Sequence, residues 1–360
     1  GRLIMDDDNM DAGHQTENKS FSDMEWRRTR INIKGSINKH WSYKATYDFT
    51  SEGDKANLDE GYIKYDTKQG FALTVGKTKA DMMLEQRTSS KWISTIERGL
   101  LNAMNEKVNY LVGKPGDGAG IKLGFYHKES RFSGALSVYD AYKNDSDDDN
   151  DMIWHTTARL NYSPKIGNDF AHFGVSYGLA DYKGEAANAE LQIGIHQGDK
   201  TMLADAAAGD ITTWGVEAAY VSGPFSVQAE YFDNDTELVN GSKGYEWDGF
   251  YGQLSYIVTG ETRGYKWKGA KFDKINPKEK MGAVEFVLRY EDISIDDADE
   301  GTVAARKVDL DRTVIGMNWY VNKTVKFMAN YSSVSMDNEV NPGGTNEDLD
   351  SVQLRAQYAF

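Results

Sequence analysis

The sequence has no cysteine and only 5 prolines among its 360 residues. Without cysteine, disulfides and thiolate metal sites are excluded. No stretch approaches the roughly 20 apolar residues of a membrane-spanning helix. Glycine, with 35 residues, and aromatic residues, at 12% of the chain, are abundant instead. Because aromatic residues favour strands, this composition indicates a β-rich protein.

The formal net charge of −15 argues against general nucleic-acid binding, and mildly against an anion channel. The acidic residues gather in runs at 6–8, 145–151, 296–300 and 347–350, which we expect to be loops. Charge in loops need not be charge in a lumen, so the net charge alone does not decide which solutes such a protein would pass.

The last ten residues show the pattern that dominates the chain. One face of the expected strand carries Val352, Leu354, Ala356, Tyr358 and Phe360, and the other carries Ser351, Gln353, Arg355, Gln357 and Ala359. A strand has a period of two, so one face is apolar and ends in aromatic residues while the other is wet. This is what a strand of an outer-membrane β-barrel requires, with lipid outside and water inside.

Similar alternation recurs along the whole sequence. It is clearest at 26–35, 40–50, 121–126, 154–162, 172–179, 214–220, 225–231, 250–258, 284–290, 315–319 and 325–331, with shorter segments at 61–66 and 71–75. Short turns alternate with long acidic connections, and about 22 residues per strand and connection give about sixteen strands. The sequence therefore predicts an all-β protein, one transmembrane antiparallel barrel over residues 1–360. A soluble β-sandwich also alternates, but it would not need aromatic residues at the ends of strand after strand.

One long segment, residues 77–112, breaks the alternation. Its apolar residues are Met82, Met83, Leu84, Trp92, Ile93, Ile96, Leu100 and Leu101. A connection of this length is either functional or disordered, and its apolar content indicates that it is packed. Inside a barrel it would fold into the lumen as a constriction loop.

Several stretches carry a family resemblance. They are LEQRTSSKW at 84–92, IER at 96–98, GRL at 1–3, WRR at 26–28, TGETRGY at 259–265 running into GAKFD at 269–273, and GMNWY at 316–320. Together they resemble the phosphate-selective porin family (porin O and P) over essentially the whole chain. The resemblance implies a homotrimer of sixteen-stranded barrels in the bacterial outer membrane. Such a trimer passes anions, and some members prefer phosphate or polyphosphate.

The resemblance also implies pore residues. Arg2, Arg27 and Arg28 lie where the family has lumenal arginines of its phosphate site, and Asp59 matches an aspartate there. Arg98 lies in the matching Glu-Arg pair of the constriction loop.

This chain also departs from the family pattern. Gln86 replaces a lysine of the constriction loop, although Arg87 follows it. Between Tyr182 and Thr213, where phosphate-selective members carry an arginine-rich loop, there is no arginine. Phosphate needs several charge-assisted donors, so we expect anion preference with weak phosphate selectivity.

Charges on one strand support a pore independently of the resemblance. Arg28, Arg30 and Lys34 share a polar face and could form a cationic ladder that steers anions. The alternative is that these cations pair with acids such as Asp48, Asp59 or Glu60.

Arg27 conflicts with strict alternation. Alternation places it on the lipid face with Ile31 and Ile33, whereas the resemblance places it in the pore. A β-bulge, or a position beyond the hydrocarbon band, would reconcile the two.

The constriction loop carries Lys91 as a further candidate, beside Arg98. We expect them to line the narrowest part of the pore. The alternative is that they tie the loop to the wall through Glu85 or Glu97.

Other chemistry finds little support. The acidic run at 145–151 lacks the glycine and glutamate of an EF-hand loop, so a solvated outer loop is favoured over a calcium site. The six histidines form no i, i+4 metal pair and no evident triad, so we expect neither an enzyme nor a bound cofactor.

The sequence therefore predicts an outer-membrane porin for passive diffusion of small anionic solutes. Expected partners are membrane lipid, lipopolysaccharide and further copies of the chain, but not nucleic acid. A general or cation-preferring porin, and a receptor barrel plugged by its long loop, remain alternatives.

Overall fold

The structure, a computed structural model, describes residues 1–12, 21–50, 57–107, 119–140, 154–182, 189–191, 201–204, 208–297, 306–340 and 347–360. Within these ranges sixteen strands form one continuous wall. They are β1 (Arg2–Ala12), β2 (Phe21–Ser36), β3 (Trp41–Asp48), β4 (Asn57–Asp66), β5 (Phe71–Lys77), β6 (Gly120–His127), β7 (Phe132–Asp140), β8 (Trp154–Tyr162), β9 (Asp169–Asp181), β10 (Ala208–Ser222), β11 (Phe225–Leu238), β12 (Lys243–Ile257), β13 (Ala283–Asp297), β14 (Arg306–Tyr320), β15 (Val325–Val340) and β16 (Glu347–Ala359).

The wall closes on itself. Each strand pairs antiparallel with the next, and β16 pairs with β1 over the whole length of β1, from Arg2 opposite Ala359 to Ala12 opposite Leu349. Closure satisfies the backbone groups that an open sheet edge would expose to lipid. The predicted antiparallel barrel of about sixteen strands is confirmed, and the sandwich alternative is excluded.

The wall exposes apolar side chains and buries polar ones, the reverse of the distribution in a water-soluble protein. On β13, Phe286 and Leu288 are 49% and 52% exposed, whereas Glu285 and Arg289 are 0% and 1% exposed. The same alternation of exposed apolar and buried polar side chains runs around the wall. An apolar outer face matches a hydrocarbon surrounding, and a polar inner face matches a water-containing lumen.

Connections differ at the two ends of the barrel. One end has tight turns, such as 37–40, 128–131 and 223–224, and the other end has mostly long connections. One long connection, residues 258–282, lies at the tight-turn end between β12 and β13. It contains two paired short strands, Tyr265–Lys266 and Lys271–Phe272, and we call this connection the inner hairpin.

The remaining elements are short. The helices are α1 (Leu84–Arg87) and α2 (Leu100–Lys107), and a 3₁₀ turn spans Trp267–Gly269. Lys165–Ile166 pairs with the start of β9, and Ala189–Leu191 pairs with Thr201–Ala204. In the described part of the chain, no helix is long and apolar enough to cross a membrane.

An apolar cluster fills one side of the barrel interior. Met82, Leu101 and Met104, between β5 and β6, belong to one buried cluster with Trp247 and Tyr251 of β12. The wall residues of this cluster come from β9–β16. The main polar cavity is lined instead by β1–β8, so the open part of the lumen is off-centre.

Three expectations about loops were wrong, one of them in part. Residues 6–8 lie inside β1, where Asp6 and Asp8 are both 1% exposed, and residues 347–350 begin β16. Asp6 can be buried because Arg355, on the neighbouring strand, donates to its carboxylate at 2.7 and 2.5 Å. Of the run at 296–300, residues 296 and 297 end β13 and so do not form a loop, and 298–300 lie outside the described residues. The acidic run at 145–151 also lies outside the described residues.

The conflict at Arg27 is resolved by a bulge. Pairing of β1 with β2 jumps from Ile4 opposite Arg28 to Asp6 opposite Glu25, which leaves one extra residue on β2. A bulge re-aims the side chains beside it. Arg27 and Arg28 therefore both reach inward to the same carboxylate, that of Glu97.

Candidate pore

A cavity of about 660 Å³ occupies the open side of the lumen. Among the described residues that line it are fourteen arginine or lysine side chains and only three aspartate or glutamate side chains. The cations are Arg2, Arg30, Lys34, Lys44, Lys64, Lys79, Arg87, Lys91, Arg98, Lys122, Arg159, Lys266, Lys268 and Lys271; the acids are Asp59, Glu60 and Asp81. The charge of this cavity is thus opposite in sign to the net charge of the chain.

Some of these cations are neutralised by wall carboxylates. Arg30 lies between Asp48 and Asp59, with Nε–Oδ2 and Nη1–Oδ2 distances of 2.5 and 2.6 Å. Lys44 pairs with Glu60 across β3 and β4. The alternative of paired lumenal cations therefore holds for Arg30.

The segment between β5 and β6 contacts the buried face of the wall at several points. The backbone N–H groups of Leu84 and Glu85 both donate to the Glu230 carboxylate at 2.8 Å. The Glu85 carboxylate in turn accepts from Arg289 of β13 at 2.5 Å. These contacts join one end of the segment to β11 and β13.

A second attachment centres on Glu97. Its carboxylate accepts from Arg27 at 3.1 Å, from Arg28 at 3.1 Å and from Arg355 at 2.5 Å. Burial alone would raise the pKa of Glu97, but the three guanidinium groups hold it well below its usual value. We call this group of four side chains the Glu97 clamp; it joins the segment to β2 and β16.

A third group joins the start of the segment to β6. Asp81 accepts from Arg87 at 2.5 Å and from Lys122 at 2.8 Å. Burial would raise the pKa of Asp81, but these two cations hold it far below its usual value. Asp81 therefore stays ionised and offsets part of the charge of Arg87.

Several described cations of the cavity lack such compensation, among them Arg2, Lys34, Lys91 and Arg98. Within the described ranges, no carboxylate lies within ion-pairing distance of Arg2, Lys34, Lys91 or Arg98. Arg98 instead donates to the backbone carbonyls of Glu85 and Thr88, at 3.3 and 3.0 Å. Burial, followed by the charges of Arg2 and Lys34, lowers the pKa of Lys91.

Most of the predicted pore residues come together in this cavity. It is lined by Arg2, Arg30, Lys34, Asp59, Arg87, Lys91 and Arg98. Arg27 and Arg28 are placed elsewhere, in the Glu97 clamp, so two of the implied pore arginines hold the segment rather than line this cavity. The ladder of Arg28, Arg30 and Lys34 thus has one rung, Lys34, without a carboxylate partner in the described part of the chain. Contact of any of these residues with a solute stays a prediction.

Sequence reasoning missed the lysines of the inner hairpin. Lys266, Lys268 and Lys271 all line the cavity. Lys268 lies 4.3 Å from the centroid of the Tyr126 ring, a cation–π distance, and Lys266 pairs with Asp273 at 2.9 Å. One feature of the sequence could have indicated these lysines: they lie in a long, lysine-rich connection at the end of the barrel where the other turns are short.

The arrangement can bind small anions weakly at several points. Fixed cations in a narrow, low-dielectric passage attract anions and repel cations, and several weak sites allow exit as well as entry. In the described ranges, no group of three or more His, Asp or Glu side chains could hold a metal ion.

A closed antiparallel barrel with an apolar outer face and a charged lumen defines a channel of the bacterial outer membrane. The model of the family described as phosphate-selective porin O and P matches residues 1–360, and the chain belongs to this family. This membership favours a channel over an enzyme.

Relatives and solved structures agree with this assignment. The chain is 32% identical over 393 residues to Porin O of Pseudomonas aeruginosa, covering 100% of this chain and 87% of the relative. An uncharacterised protein of Caulobacter vibrioides is 23% identical over 92% of this chain and 67% of its own length.

Two solved structures share the fold at low sequence identity. OprB of Pseudomonas putida superposes with a TM-score of 0.61 at 8% identity, covering 99% of this chain and 94% of that chain. The outer-membrane channel DcaP of Acinetobacter baumannii gives 0.59 at 14% identity, covering 100% and 96%. The protein is therefore a porin located in the outer membrane.

Proposed function

We propose that this porin passes small anions in preference to cations, with the segment at 77–112 acting as a constriction. The observation that carries the proposal is the excess of cations lining the cavity in a chain whose net charge is −15. If the lining of the cavity had the average composition of the chain, it would be acidic. A cationic lining therefore indicates a lumen that favours anions.

The attachments of the segment support its role as a constriction. Its carboxylates and backbone groups bond to β2, β11, β13 and β16, on widely separated parts of the wall. Attachments on separate parts of the wall support a path of the segment across the lumen between them. Residues 108–112 lie outside the described part of the chain.

We further propose that phosphate passes without a tight site. The segment between Tyr182 and Thr213 has no arginine, and Arg30 and Arg87 of the cavity already have carboxylate partners. Phosphate would then meet unpaired cations such as Arg2, Lys34, Lys91 and Arg98, and the lysines among them are point-charge donors rather than members of a bidentate arginine cluster.

Assembly and lipid contacts are part of the same proposal. A neighbour of the same fold, OmpT of Vibrio cholerae, is described in a trimer form, with a TM-score of 0.56 at 10% identity. We propose a homotrimer here too, with apolar outward residues such as Ile31 and Phe71 available for contact with other copies or with lipid. Crosslinking in detergent would test the trimer, and co-purification would test bound lipopolysaccharide.

The zero-current potential in a planar bilayer under a KCl gradient tests the anion preference. We expect an anion-selective potential and reduction of chloride current by added phosphate. Lys91→Glu should move the potential towards cation selectivity, because Lys91 lines the cavity without a carboxylate partner in the described ranges. The matched control, Lys128→Glu, changes the same charge at an exposed turn and should leave the potential unchanged.

Two results would contradict the proposal. A cation-selective potential of the unmodified protein would favour the general or cation-preferring porin. Equal shifts in Lys91→Glu and Lys128→Glu would mean that total charge, rather than cavity charge, sets the selectivity.

A further inference from the structure

Lys271 is held at a fixed place beside the constriction segment. The inner hairpin that carries it is fastened to the wall by a 2.6 Å hydrogen bond between Tyr265 Oη and His172 Nδ1. Arg159 Nη2 also donates to the carbonyl of Ala270 at 3.0 Å, and the N–H of Phe272 donates to Thr88 Oγ1 at 3.2 Å. Both neighbours of Lys271 in sequence are thus bonded, one to the wall and one to the segment.

The charged surroundings of Lys271 offer it no free carboxylate. The groups that act on it are Arg87 and Asp81 of the segment, Glu60 of β4 and Lys44 of β3. Asp81 is already bridged by Arg87 and Lys122, and Glu60 is paired with Lys44. Within the described ranges, Lys271 therefore makes no ion pair, although it lines the anion cavity.

A cation in this position lacks a counter-ion. Removing an ammonium group from water is costly unless it is paired, and the charges of Arg87 and Lys44 add repulsion. Burial, followed by the charge of Arg87, lowers the pKa of Lys271 to about 7. Its charge is therefore largely present below that pH and is lost as the pH rises through it.

We propose that Lys271 is a specificity-determining residue of the pore that binds a proton and a tetrahedral oxyanion together. Among the described residues, the protein provides no carboxylate counter-ion for Lys271, so a bound oxyanion would act as the counter-ion. Binding of the oxyanion therefore favours the protonated amine of Lys271. By linkage, protonation in turn favours the oxyanion by the same factor. The chemical class is a divalent oxyanion, sulfate or hydrogen phosphate. This inference rests on the proposed anion preference.

Sulfate is the suitable probe because its charge does not change near neutral pH, unlike that of phosphate. We would measure the sulfate concentration that halves the chloride current at about pH 6 and about pH 8. With a pKa of about 7, the protonated fraction of Lys271 falls from about 0.9 to about 0.1 over this interval. The concentration for half-block should rise by up to about tenfold, because only the protonated fraction is competent.

Three variants isolate Lys271. Lys271→Arg keeps the charge at both pH values, so sulfate block should become independent of pH at the stronger level. Lys271→Gln should also be independent of pH, but at the weaker level. The control Lys266→Gln, on the same hairpin, should retain the pH dependence, because Lys266 already has Asp273 as its partner.

The outcomes separate this inference from the proposed function. If the unmodified protein is not anion-selective at either pH, the proposed function fails. If it is anion-selective but sulfate block is the same at both pH values, or the dependence persists in Lys271→Arg, the role of Lys271 is refuted. A change of gel mobility on heating identifies the variants that form folded barrels. If Lys271→Gln does not fold, Lys271→Arg by itself tests whether Lys271 causes the pH dependence of sulfate block.

Discussion

Replacing Glu97 by glutamine should loosen the segment between β5 and β6 while leaving the barrel closed. The substitution removes the charge that three arginines share, but keeps the size of the side chain and one acceptor oxygen. Arg28 and Arg355 are only 6% and 2% exposed, so they cannot regain full hydration. Arg355 keeps Asp6 as a partner, whereas Arg28 has no other carboxylate partner in the described part of the chain.

The size of the effect follows from this geometry. Removing one partner of a buried ion pair costs about 3–5 kcal/mol, because a buried charge is left uncompensated. The Glu97 side chain is 23% exposed and Arg355 retains Asp6, so the loss here should be smaller, about 2–3 kcal/mol. At about 1.4 kcal/mol per factor of ten, the detached population of the segment should rise about 30- to 150-fold.

Native-state proteolysis measures that population. Trypsin can cut after Arg87, Lys91 and Arg98 only when the segment leaves the wall, and cleavage then follows the open population if opening is fast. We expect faster cleavage between 87 and 98 in Glu97→Gln, together with noisier single-channel current. The control Glu279→Gln, at an exposed position, should match the unmodified protein. Equal cleavage rates in all three proteins would refute the assignment of Glu97 as a clamp.

Two further predictions concern acid and lipid. The depressed pKa values of Glu97 and Asp81 mean that their stabilisation is present above the pKa of the unfolded carboxyls, and is lost only as the pH falls towards the lower folded values. Cleavage between 87 and 98, corrected for the pH dependence of trypsin itself, should therefore be the same at about pH 7 and about pH 5; a rise at the lower pH would contradict these pKa directions. Leu288→Arg puts a charge on the outward face of β13 and should destabilise the folded barrel by about 2–4 kcal/mol in urea titrations in lipid, whereas Leu288→Val should have little effect; equal stability of the two variants would mean that this face does not meet hydrocarbon.

Alternation along the chain was enough to predict the barrel. The side chains of a strand alternate with a period of two whatever lies next to the strand. The lipid-facing side chains can therefore be identified from the sequence of each strand alone. Val352, Leu354 and Tyr358 are 47%, 45% and 46% exposed on β16, as their pattern indicates. The family stretches added the expectation of a porin, and the match over residues 1–360 agrees with it.

The distribution of charge was decided by the tertiary structure. Glu97 meets Arg355 from 258 positions away in sequence, and Glu85 meets Arg289 from 204 positions away. No local pattern can indicate such partners, so the sequence left open whether each lumenal cation was paired or free. For the same reason the sequence predicted Asp6 to lie in an acidic loop. Its burial in a strand is possible because Arg355, on the adjacent strand, pairs with it.

The amino-acid pattern alone therefore establishes the class of the wall: antiparallel strands with an apolar outside and a polar inside. That property is local, because it depends only on the strand period and on the medium that each face meets. Which charges face the cavity, which ones hold the segment, and where Lys271 lies were decided only by closure of the wall and the packing within it. Electrostatic pairing acts over a few ångströms in space, and only the folded chain brings those atoms together.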